Sequence, residues 1–285
     1  MRVANLNGRL VLVEAEVAFD VATWSNGRFG PDPQGVFAHW DEFRRWAGTA
    51  SEASGPGVKI VDDDLGAPVP RPAQVFAIAL NYRQHADELG YGLPASPATF
   101  TKFPACIAPP NGALELPSGM VDWEVEVVAV IGRHAHHVPA ADAWSYIAGL
   151  TVGQDISERE VQFRPPLPQF SLGKSFPGFG PIGPVLVTPD EFHDPDDLEL
   201  SCTLNGETVQ RSRTSDLIFP IPVLVEALSG IVPLLPGDLI FTGTPSGVGS
   251  GLKPPRYLVS GDVLVSAVEG IGTMSQVAIE TRKDG

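Results

Sequence analysis

Three acidic side chains alternate with apolar ones in residues 121–130, whose sequence is VDWEVEVVAV. The β-branched and aromatic residues of this stretch predict a β-strand, and alternate side chains of a strand point to the same face. Asp122, Glu124 and Glu126 therefore share one face, which then continues with valines. Two glutamates two residues apart on a strand lie ~7 Å apart, and at an effective dielectric constant of ~20 they repel by roughly 2–3 kcal/mol when both are ionised. Water or a cation must relieve this repulsion.

Taken alone, these acids have two interpretations, a solvated strand face or a cation site. A solvated face is the more frequent arrangement for charged side chains. The continuation of the same face as Val128 and Val130 indicates instead that it enters the core, where carboxylates are better explained by a hard cation. A third oxygen ligand would come from Asp155, which ends the predicted strand LTVGQD. An all-oxygen site favours Mg²⁺ or Mn²⁺, and less specifically Ca²⁺, over zinc.

Four other short patterns contain residue types that could do chemistry. His85 and Glu88 are spaced to share a helix face, which fits a catalytic pair or an ordinary surface pair. The run RHAHH at residues 133–137 could bind a softer metal, but it lies in a predicted loop with no further His or Cys nearby in sequence, which favours a plain loop. SLGK at residues 171–174 matches the S-x-x-K pattern of serine acyl-transfer enzymes but lacks its companion motifs. GTPSGVG at residues 243–249 fits a strand-to-loop turn as well as a cradle of backbone N–H groups for an anion.

A short helix is predicted to carry His85 and Glu88. The apolar run VFAIAL at residues 75–80 predicts a buried strand just before this helix. Asn81 is the expected N-cap of the helix, and Gly90 is its expected end. The two side chains then project from the same face of one helical turn.

A second short helix is predicted directly after Asp155. Ser157 and Glu160 match the capping box that starts a helix. Arg159 and Gln162 then lie three residues apart on one face.

The composition is that of a globular, turn-rich protein, with 43% hydrophobic residues, 30 glycines and 28 prolines among 285 residues. The formal net charge is −15 without any run of Lys or Arg, which argues against a nucleic-acid partner and against an anionic membrane surface. The first residues have no signal-peptide pattern and no apolar run approaches the ~18 residues that a membrane span needs, so we expect a cytoplasmic protein. Cys106 and Cys202 lack any C-x-x-C partner, so we expect buried free thiols.

A change in composition near residue 70 predicts a domain boundary. The acidic run at residues 62–64 and the sequence GAPVPRP at residues 66–72 indicate a linker. We therefore predict a small β-rich amino-terminal domain at residues 1–70 and a larger domain at residues 71–285. Short strands and helices follow one another without an internal repeat, so the expected fold class is α+β and β-rich.

Five motifs, taken in chain order, resemble those of the fumarylacetoacetate hydrolase family. They are N-Y-x-x-H-x-x-E, then E-x-E on a strand, D-x-x-x-R-x-x-Q, G-K-S-F, and G-D-x-I-x-T-G-T-P-x-G-V-G, and they run from about residue 72 to the end of the chain. The resemblance implies a mixed β-roll flanked by short helices, with a small amino-terminal domain. It also implies a homodimer.

The resemblance further implies a role for each residue that matches a motif. The ligands of a divalent metal, usually Mg²⁺, would be Glu124, Glu126 and Asp155. The catalytic residues would be His85, Glu88 and Lys174. The substrate-binding residues would be Arg159, Gln162 and Thr244. Asp122 has no such role and is expected to be a bystander that water solvates.

The implied activity is metal-dependent hydrolysis of a C–C bond in a 1,3-diketo acid of the acylpyruvate type. Water activated by His85 and Glu88 would attack the distal carbonyl, and an enolate stabilised by the metal would leave. Decarboxylation of an oxaloacetate-like acid, or isomerisation of a hydroxydienedioate in aromatic catabolism, would use the same site. A catalytically silent ligand-binding homologue is the alternative from a different class. The proline-rich residues 163–170 stand where many relatives have a lysine-rich stretch. The resemblance therefore does not determine the size and polarity of the tail of this small-molecule keto acid.

Overall fold

The computed structural model describes residues 1–49, 57–90 and 92–281, which form three β-sheets and several short α-helices. The strands are β1 (Arg2–Leu6), β2 (Arg9–Glu14), β3 (Val17–Asp20), β4 (Val58–Lys59), β5 (Leu65–Gly66), β6 (Val75–Ala79), β7 (Ala98–Thr101), β8 (Ile107–Ala108), β9 (Asn111–Leu116), β10 (Val121–Asp122), β11 (Val125–Ile131), β12 (Ile147–Gln154), β13 (Ser157–Glu158), β14 (Gly180–Val187), β15 (Glu199–Leu204), β16 (Glu207–Arg213), β17 (Leu239–Phe241), β18 (Val263–Val268) and β19 (Gly272–Glu280). The α-helices are α1 (Val21–Trp24), α2 (Trp40–Thr49), α3 (Arg83–Leu89), α4 (Arg159–Gln162), α5 (Phe170–Gly173) and α6 (Ile221–Ser229). None of the helices in the described ranges has the length and apolar character that crossing a membrane requires.

The main sheet has twelve strands in the order β4-β3-β2-β1-β14-β12-β11-β17-β6-β7, with β5 paired to β1 and β8 paired to β14. A second sheet has five strands in the order β16-β15-β18-β19-β9, and β10 and β13 form a separate pair. Parallel pairs such as β6 with β17 and β9 with β19 lie beside antiparallel ones, so the sheets are mixed. The predicted α+β, β-rich fold class is confirmed.

Strand β11 lies in the middle of the main sheet and is buried on both faces. Its odd-numbered side chains belong to the larger apolar cluster of the protein, and these are Val125, Val127, Ala129 and Ile131. Its even-numbered valines belong to the second cluster, and these are Val128 and Val130. The predicted period-two alternation is therefore confirmed here. The predicted strand is interrupted, however, because Trp123 and Glu124 lie between β10 and β11.

The main sheet continues across the predicted domain boundary near residue 70. Strand β1 pairs with β14, far along the chain, and with β2 and β5. Apolar side chains from both sides of the boundary contribute to both apolar clusters. The division into residues 1–70 and 71–285 stays a prediction.

Both cysteines are free and buried, as the sequence predicted. Burial raises the pKa of the Cys106 thiol, and it raises the pKa of Cys202 to about 12. A thiol whose pKa is raised is rarely a thiolate at neutral pH, so neither cysteine is suited to act as a nucleophile.

Candidate metal centre and active site

Three carboxylates converge where β11 and β12 lie side by side. Oxygen atoms of Glu124, Glu126 and Asp155 all lie within 4.8 Å of one another, and all three residues are buried. The antiparallel register explains this arrangement. Val125 is paired with Gln154, so the preceding and following residues, Glu124 and Asp155, lie opposite each other, and the N–H of Asp155 donates to the carbonyl of Glu124 at 2.9 Å. The side chain of Glu126, two residues along, projects to the same side.

Two buried lysines bind carboxylates of this cluster. Lys174 Nζ lies 2.7 Å from Glu124 Oε2 and 2.6 Å from Asp155 Oδ2. Lys102 was not among the predicted site residues, but its fully buried Nζ lies 2.7 Å from Asp155 Oδ1 and also donates to the carbonyl of Lys174. A lysine is almost never fully buried without a partner. The available signal was its place as a lone charge in the otherwise uncharged sequence TFTKFPAC.

Glu126 has no cationic side chain bound to it among the described residues. It accepts one hydrogen bond, from a backbone N–H of the glycine-rich loop, at 2.7 Å. Burial, and then the charges of Asp155 and Glu124, raise the pKa of Glu126 well above its ordinary value. Burial alone would also raise the pKa of Glu124, but the charges of Lys174 and Arg159 outweigh it and lower that pKa. The oxygen-only donor set and the unbalanced negative charge at Glu126 fit a divalent cation.

The predicted catalytic pair lies on α3. His85 Nδ1 lies 3.0 Å from Glu88 Oε2, and both side chains are largely buried. An ionised carboxylate only accepts hydrogen bonds, so Nδ1 carries the hydrogen of this contact, and in the neutral ring Nε2 is then the proton acceptor. The arrangement is that of a base whose ring is oriented by a carboxylate.

The start of α3 differs from the prediction, whereas its end agrees. Tyr82 occupies the N-cap position and makes no side-chain cap. The buried amide of Asn81 instead donates to the carbonyls of Phe219 and Thr242, at 3.0 and 2.7 Å. The capping prediction for Asn81 is therefore wrong, because burial commits this side chain to distant backbone groups. Gly90 ends the helix in the left-handed conformation with φ +72°, as predicted.

The glycine-rich loop after β17 binds carboxylates of the chain itself. The N–H of Gly243 donates to Glu126 Oε2 at 2.7 Å, and the N–H of Gly247 donates to Glu88 Oε1 at 3.1 Å. Of the two interpretations left open by the sequence, the loop is thus a cradle of N–H groups, and its anions are side chains from β11 and α3. It joins the carboxylate cluster and the histidine pair in one hydrogen-bonded frame.

Gly247→Ala is expected to lower both stability and turnover, because Gly247 has φ +99° and a Cβ there would overlap the carbonyl oxygen of Val209. The loop must then move, and the hydrogen bond to Glu88 with it. Gly206→Ala is the matched control, since Gly206 has φ +85° in open space and carries only the left-handed strain, about 1–2 kcal/mol. Urea unfolding measures the loss of stability in each variant, and kcat measures the loss of turnover. Equal losses in the two variants would show that the close contact is unimportant.

Asp122 is not the solvated bystander that the sequence indicated. It is 0% exposed, and its Oδ2 accepts from Nε and Nη2 of Arg159 at 2.9 and 2.7 Å. The N–H groups of Gly249 and Ser250 donate to the same carboxylate, at 2.6 and 2.9 Å. Pairing of Asp122 with Ser157 between β10 and β13 brings the aspartate to the start of α4. The bystander prediction is wrong because this pairing is long-range and the local alternation does not report it.

Arg159 uses most of its donors within the protein. In addition to its contact with Asp122, its Nη2 lies 2.8 Å from Glu124 Oε1, and its Nη1 donates to Gln162 Oε1 at 2.9 Å. Burial alone would lower the pKa of Arg159, but the charges of Glu124 and Asp122 outweigh it and raise that pKa. A guanidinium has five N–H groups, so these bonds within the described residues leave one for a ligand. The clamping of a substrate carboxylate by Arg159 stays a prediction.

Asp122→Ala is expected to lower the free energy of unfolding by about 3–5 kcal/mol, because it leaves the buried Arg159 without its main partner. Glu199→Ala is the matched control, since Glu199 also binds an arginine through short contacts, to Arg211 at 2.8 and 3.0 Å, but on the exposed surface. An exposed pair contributes up to about 1 kcal/mol. Urea unfolding measures both variants. A loss for Asp122→Ala no larger than that of the control would contradict the interpretation of a buried ion pair.

Helix α4 is capped by Glu158 rather than by Ser157. The Glu158 carboxylate accepts from the N–H groups of Glu160 and Val161 at 3.2 and 2.7 Å. The Ser157 hydroxyl instead donates to the carbonyl of Asp155. The predicted capping box is therefore wrong by one residue, because the helix begins at Arg159 and the Ser157 hydroxyl is bound to the carbonyl of Asp155.

The two other predicted substrate-binding residues differ in what they offer a ligand. Gln162 Oε1 accepts from Arg159, and its Nε2 makes no hydrogen bond within the described residues. The Thr244 hydroxyl donates to the carbonyl of Val125 at 2.9 Å and accepts from Gln210 at 2.8 Å. Gln162 therefore has a donor available, whereas the hydroxyl hydrogen of Thr244 is already used.

A cavity of about 430 Å³ lies beside these groups. Its polar lining is formed by His85, Glu124, Arg159, Gln162, Lys174, Thr244 and Ser250. Its apolar lining includes Ile78, Phe100, Phe163, Phe170 and Val248. A cavity of this size accepts a small organic ligand, and the convergence of charged groups at one part of its wall suits an organic acid.

Two alternative motif interpretations gain no support. Within the described residues, the carboxylate triad is the one group of three or more acidic, His or Cys side chains that is arranged to hold a metal, and it does not include the run at residues 133–137. In the S-x-x-K pattern, the Lys174 amine binds the triad, and the Ser171 hydroxyl accepts from Gln169 at 3.1 Å. No serine–lysine pair is formed between them.

Comparisons with known proteins find similar sequences and similar folds. The family model described as fumarylacetoacetate (FAA) hydrolase C-terminal matches residues 74–278. Among curated proteins, a mitochondrial oxaloacetate tautomerase of Rattus norvegicus is 43% identical over 210 residues, which are 73% of this chain and 67% of that protein.

Two solved structures extend the similarity over nearly the whole chain. A Mycobacterium smegmatis crystal structure that carries the name HpcE is 51% identical, with a TM-score of 0.94, and the match covers 99% of this chain and 100% of the other. Maleylpyruvate hydrolase from Sphingobium sp. SYK-6, crystallised with manganese(II) and pyruvate, is 25% identical with a TM-score of 0.81 and covers 99% and 100% of the two chains.

Proposed function

Since the chain belongs to the fumarylacetoacetate hydrolase family, we propose that it is a Mg²⁺-dependent hydrolase that cleaves the C–C bond of an acylpyruvate-type 1,3-diketo acid. Enzymes that act on keto acids, a hydrolase and a tautomerase, are among its relatives. The observation that carries the proposal is that one cavity is lined both by Glu124, a member of the carboxylate triad, and by His85, which is paired with Glu88. A metal-dependent hydrolase of this kind needs carboxylates to hold the cation and a base to activate water.

The head of the substrate would lie at the charged part of the cavity. A divalent cation held by Glu124, Glu126 and Asp155 would act as a Lewis acid toward the substrate carboxylate and its neighbouring carbonyl. Lys174 keeps two of these carboxylates in place and adds a positive charge beside the cavity. The remaining N–H of Arg159 would orient the substrate carboxylate.

The reacting part of the substrate would lie near His85. His85 Nε2 takes a proton from water as the water oxygen adds to the distal carbonyl carbon. The Gln162 Nε2 donor is available for the negative charge that develops on that carbonyl oxygen. The C–C bond then breaks, its electron pair passes to the methylene carbon, and a proton returned to this carbon completes pyruvate. The acyl group leaves as a carboxylic acid, so one water is consumed and no covalent intermediate forms.

The second candidate is tautomerisation of oxaloacetate, and the 43% identity to an oxaloacetate tautomerase favours it. This reaction moves a proton between a carbon and an enol oxygen, which the His85–Glu88 pair is also placed to do. It needs no added water. Decarboxylation of oxaloacetate and isomerisation of a hydroxydienedioate would use the same groups.

One substrate panel separates these reactions. The protein is assayed with acylpyruvates, oxaloacetate and hydroxydienedioates, with Mg²⁺, Mn²⁺ or Ca²⁺ and with chelator. We expect an acylpyruvate to yield pyruvate and a carboxylic acid in a Mg²⁺-dependent way. Loss of enol absorbance from oxaloacetate without pyruvate would favour tautomerisation, and release of CO₂ would favour decarboxylation. Metal-dependent binding without any turnover would identify a ligand-binding homologue and contradict the proposal.

We also propose that the protein functions as a homodimer, and this rests on the family resemblance alone. Light scattering at the assay concentration measures its mass. A monomeric mass with full activity would contradict the proposal.

A further inference from the structure

One part of the cavity wall is aromatic. The rings of Phe100 and Phe170 lie 5.6 Å apart between centroids at 66°, and those of Phe163 and Phe170 lie 5.5 Å apart at 76°. These are edge-to-face arrangements, which hold rings in a fixed geometry and leave ring faces for a further apolar group. Ile78 and Val248 add aliphatic surface to the same cavity.

The aromatic wall begins at the carboxylate cluster and ends at solvent. Lys174 Nζ, which binds Glu124 and Asp155, lies 5.2 Å from the centroid of the Phe100 ring. At the other end, Phe163 is 51% exposed. The rings therefore extend from the charged cluster toward the surface in the order Phe100, Phe170, Phe163. A substrate whose head lies at the cluster would place its tail along them.

Among the residues that the structure describes, the cavity lining offers no unpaired cation for a charged tail. The lysine and arginine side chains of the lining are Lys174 and Arg159, and both are bound to carboxylates of the chain. Arg164, the next cation along the proline-rich segment, is exposed and outside the lining. A carboxylate brought against the rings would lose water without gaining a partner, which is unfavourable.

We propose that this site takes diketo acids with an uncharged apolar acyl tail, preferably an aryl group, and discriminates against those whose tail ends in a second carboxylate. The inference rests on the proposed function for the head of the substrate. The chemical class of the tail follows from the phenylalanine rings and from the paired charges of the cavity lining. An aryl tail packs against the three phenylalanines and removes apolar surface from water.

The turnover test compares three acids with the same head. These are benzoylpyruvate, acetylpyruvate and a diketo acid whose tail ends in a carboxylate. We expect kcat/KM for benzoylpyruvate to exceed that for acetylpyruvate by roughly 10- to 100-fold, from the added apolar surface buried. The dicarboxylic acid should have the lowest value. A dicarboxylic acid with the highest kcat/KM would overturn the inference.

Variants of the wall test whether the rings cause this preference. Phe170→Ala and Phe163→Ala should each lower the ratio of kcat/KM between benzoylpyruvate and acetylpyruvate, and Phe163→Ala tests it at a half-exposed position where folding is little affected. Leu167→Ala is the matched control, because Leu167 lies in the same segment but is 81% exposed and outside the lining. Its ratio should equal that of the parent. An unchanged ratio in both phenylalanine variants would assign the preference elsewhere and overturn the inference.

A binding test measures the preference for the substrate tail independently of the reaction. The His85→Ala variant is titrated by calorimetry, with Mg²⁺ present, against 4-phenyl-2-oxobutanoate and 2-oxoglutarate, which share a 2-oxo acid head and differ in the tail. We expect at least roughly tenfold tighter binding of the aryl acid. If the aryl acid binds more tightly but the parent cleaves no diketo acid, the proposed hydrolase activity is rejected and the preference for an apolar tail is retained. Equal or tighter binding of 2-oxoglutarate, or no binding of either acid, would overturn the inference.

Discussion

Glu126→Gln is expected to abolish metal-dependent turnover without destabilising the protein. Turnover should fall by roughly 10²-fold or more, because Lewis-acid stabilisation is worth several kcal/mol and each 1.4 kcal/mol is tenfold in rate. Stability should be unchanged or higher. Burial and the neighbouring carboxylates raise the pKa of Glu126, so its ionised form is disfavoured in the folded protein, and a neutral amide of the same shape removes that repulsion. The amide oxygen can still accept from the N–H of Gly243.

Asp155→Asn should cause the same loss of turnover with the opposite effect on stability. The Asp155 carboxylate binds Lys102 through Oδ1 and Lys174 through Oδ2. Its neutralisation leaves two buried ammonium groups short of a partner, and breaking a buried ion pair in this way costs about 3–5 kcal/mol. The two variants therefore distinguish two roles. Glu126 is needed for the cation alone, whereas Asp155 also neutralises the charges of buried lysines and so stabilises the fold.

Calorimetric titration with Mg²⁺ and urea unfolding in chelator measure the two effects separately. Glu115→Gln is the control, because Glu115 is an exposed acid on β9 outside the site, and it should match the parent in both measurements. Full Mg²⁺-dependent activity in Glu126→Gln would reject the metal site. A stability loss in Glu126→Gln as large as that in Asp155→Asn would reject the charge distribution described for the cluster.

His85→Ala should remove hydrolysis while leaving Mg²⁺ affinity intact. General acid–base catalysis by a positioned side chain contributes about 10²- to 10⁴-fold, and the rate should fall within this range. Mg²⁺ binding should persist because the three carboxylates do not depend on the imidazole for their position. Glu88→Gln should give a smaller fall, because the imidazole is retained but loses the carboxylate that orients it through Nδ1.

Rates under saturating Mg²⁺ and calorimetric Mg²⁺ affinities test this prediction. His193→Ala is the matched control, since His193 is exposed and does not line the cavity. It should retain the parental rate. An unchanged rate in His85→Ala would reassign the base, and a lost Mg²⁺ affinity would show that the histidine acts on the metal site instead of on water.

Much of the candidate site could be predicted from local sequence patterns. Glu124 and Glu126 share a face because side chains of an extended chain alternate, and β11 keeps that alternation up to Ile131. His85 and Glu88 are three residues apart on a helix, and the structure joins them at 3.0 Å for that reason. The end of this helix at Gly90 also followed from the sequence, since only a few residue types adopt the left-handed conformation easily.

The errors share a physical cause. Asn81, Asp122 and Ser157 were each assigned a local role, as a cap or as a solvated side chain, but burial directs each of them to other partners. A buried polar group must be satisfied by whatever the fold brings near it. Local spacing does not contain that information.

The sequence by itself determined that Glu124 and Glu126 share one face and that His85 and Glu88 share another, because these placements depend on the short-range periods of strand and helix. The approach of Asp155 to Glu124 comes from the pairing of β11 with β12. Only the tertiary structure decided how the charges are balanced. Lys102 meets Asp155 across 53 residues, and Arg159 meets Asp122 across 37, and both contacts arise because strands distant in sequence are paired in the sheets. The energy of a buried charge depends on all charges within a few ångströms. The carboxylates of the cluster could therefore be predicted from the sequence, but the cationic side chains that neutralise them could not.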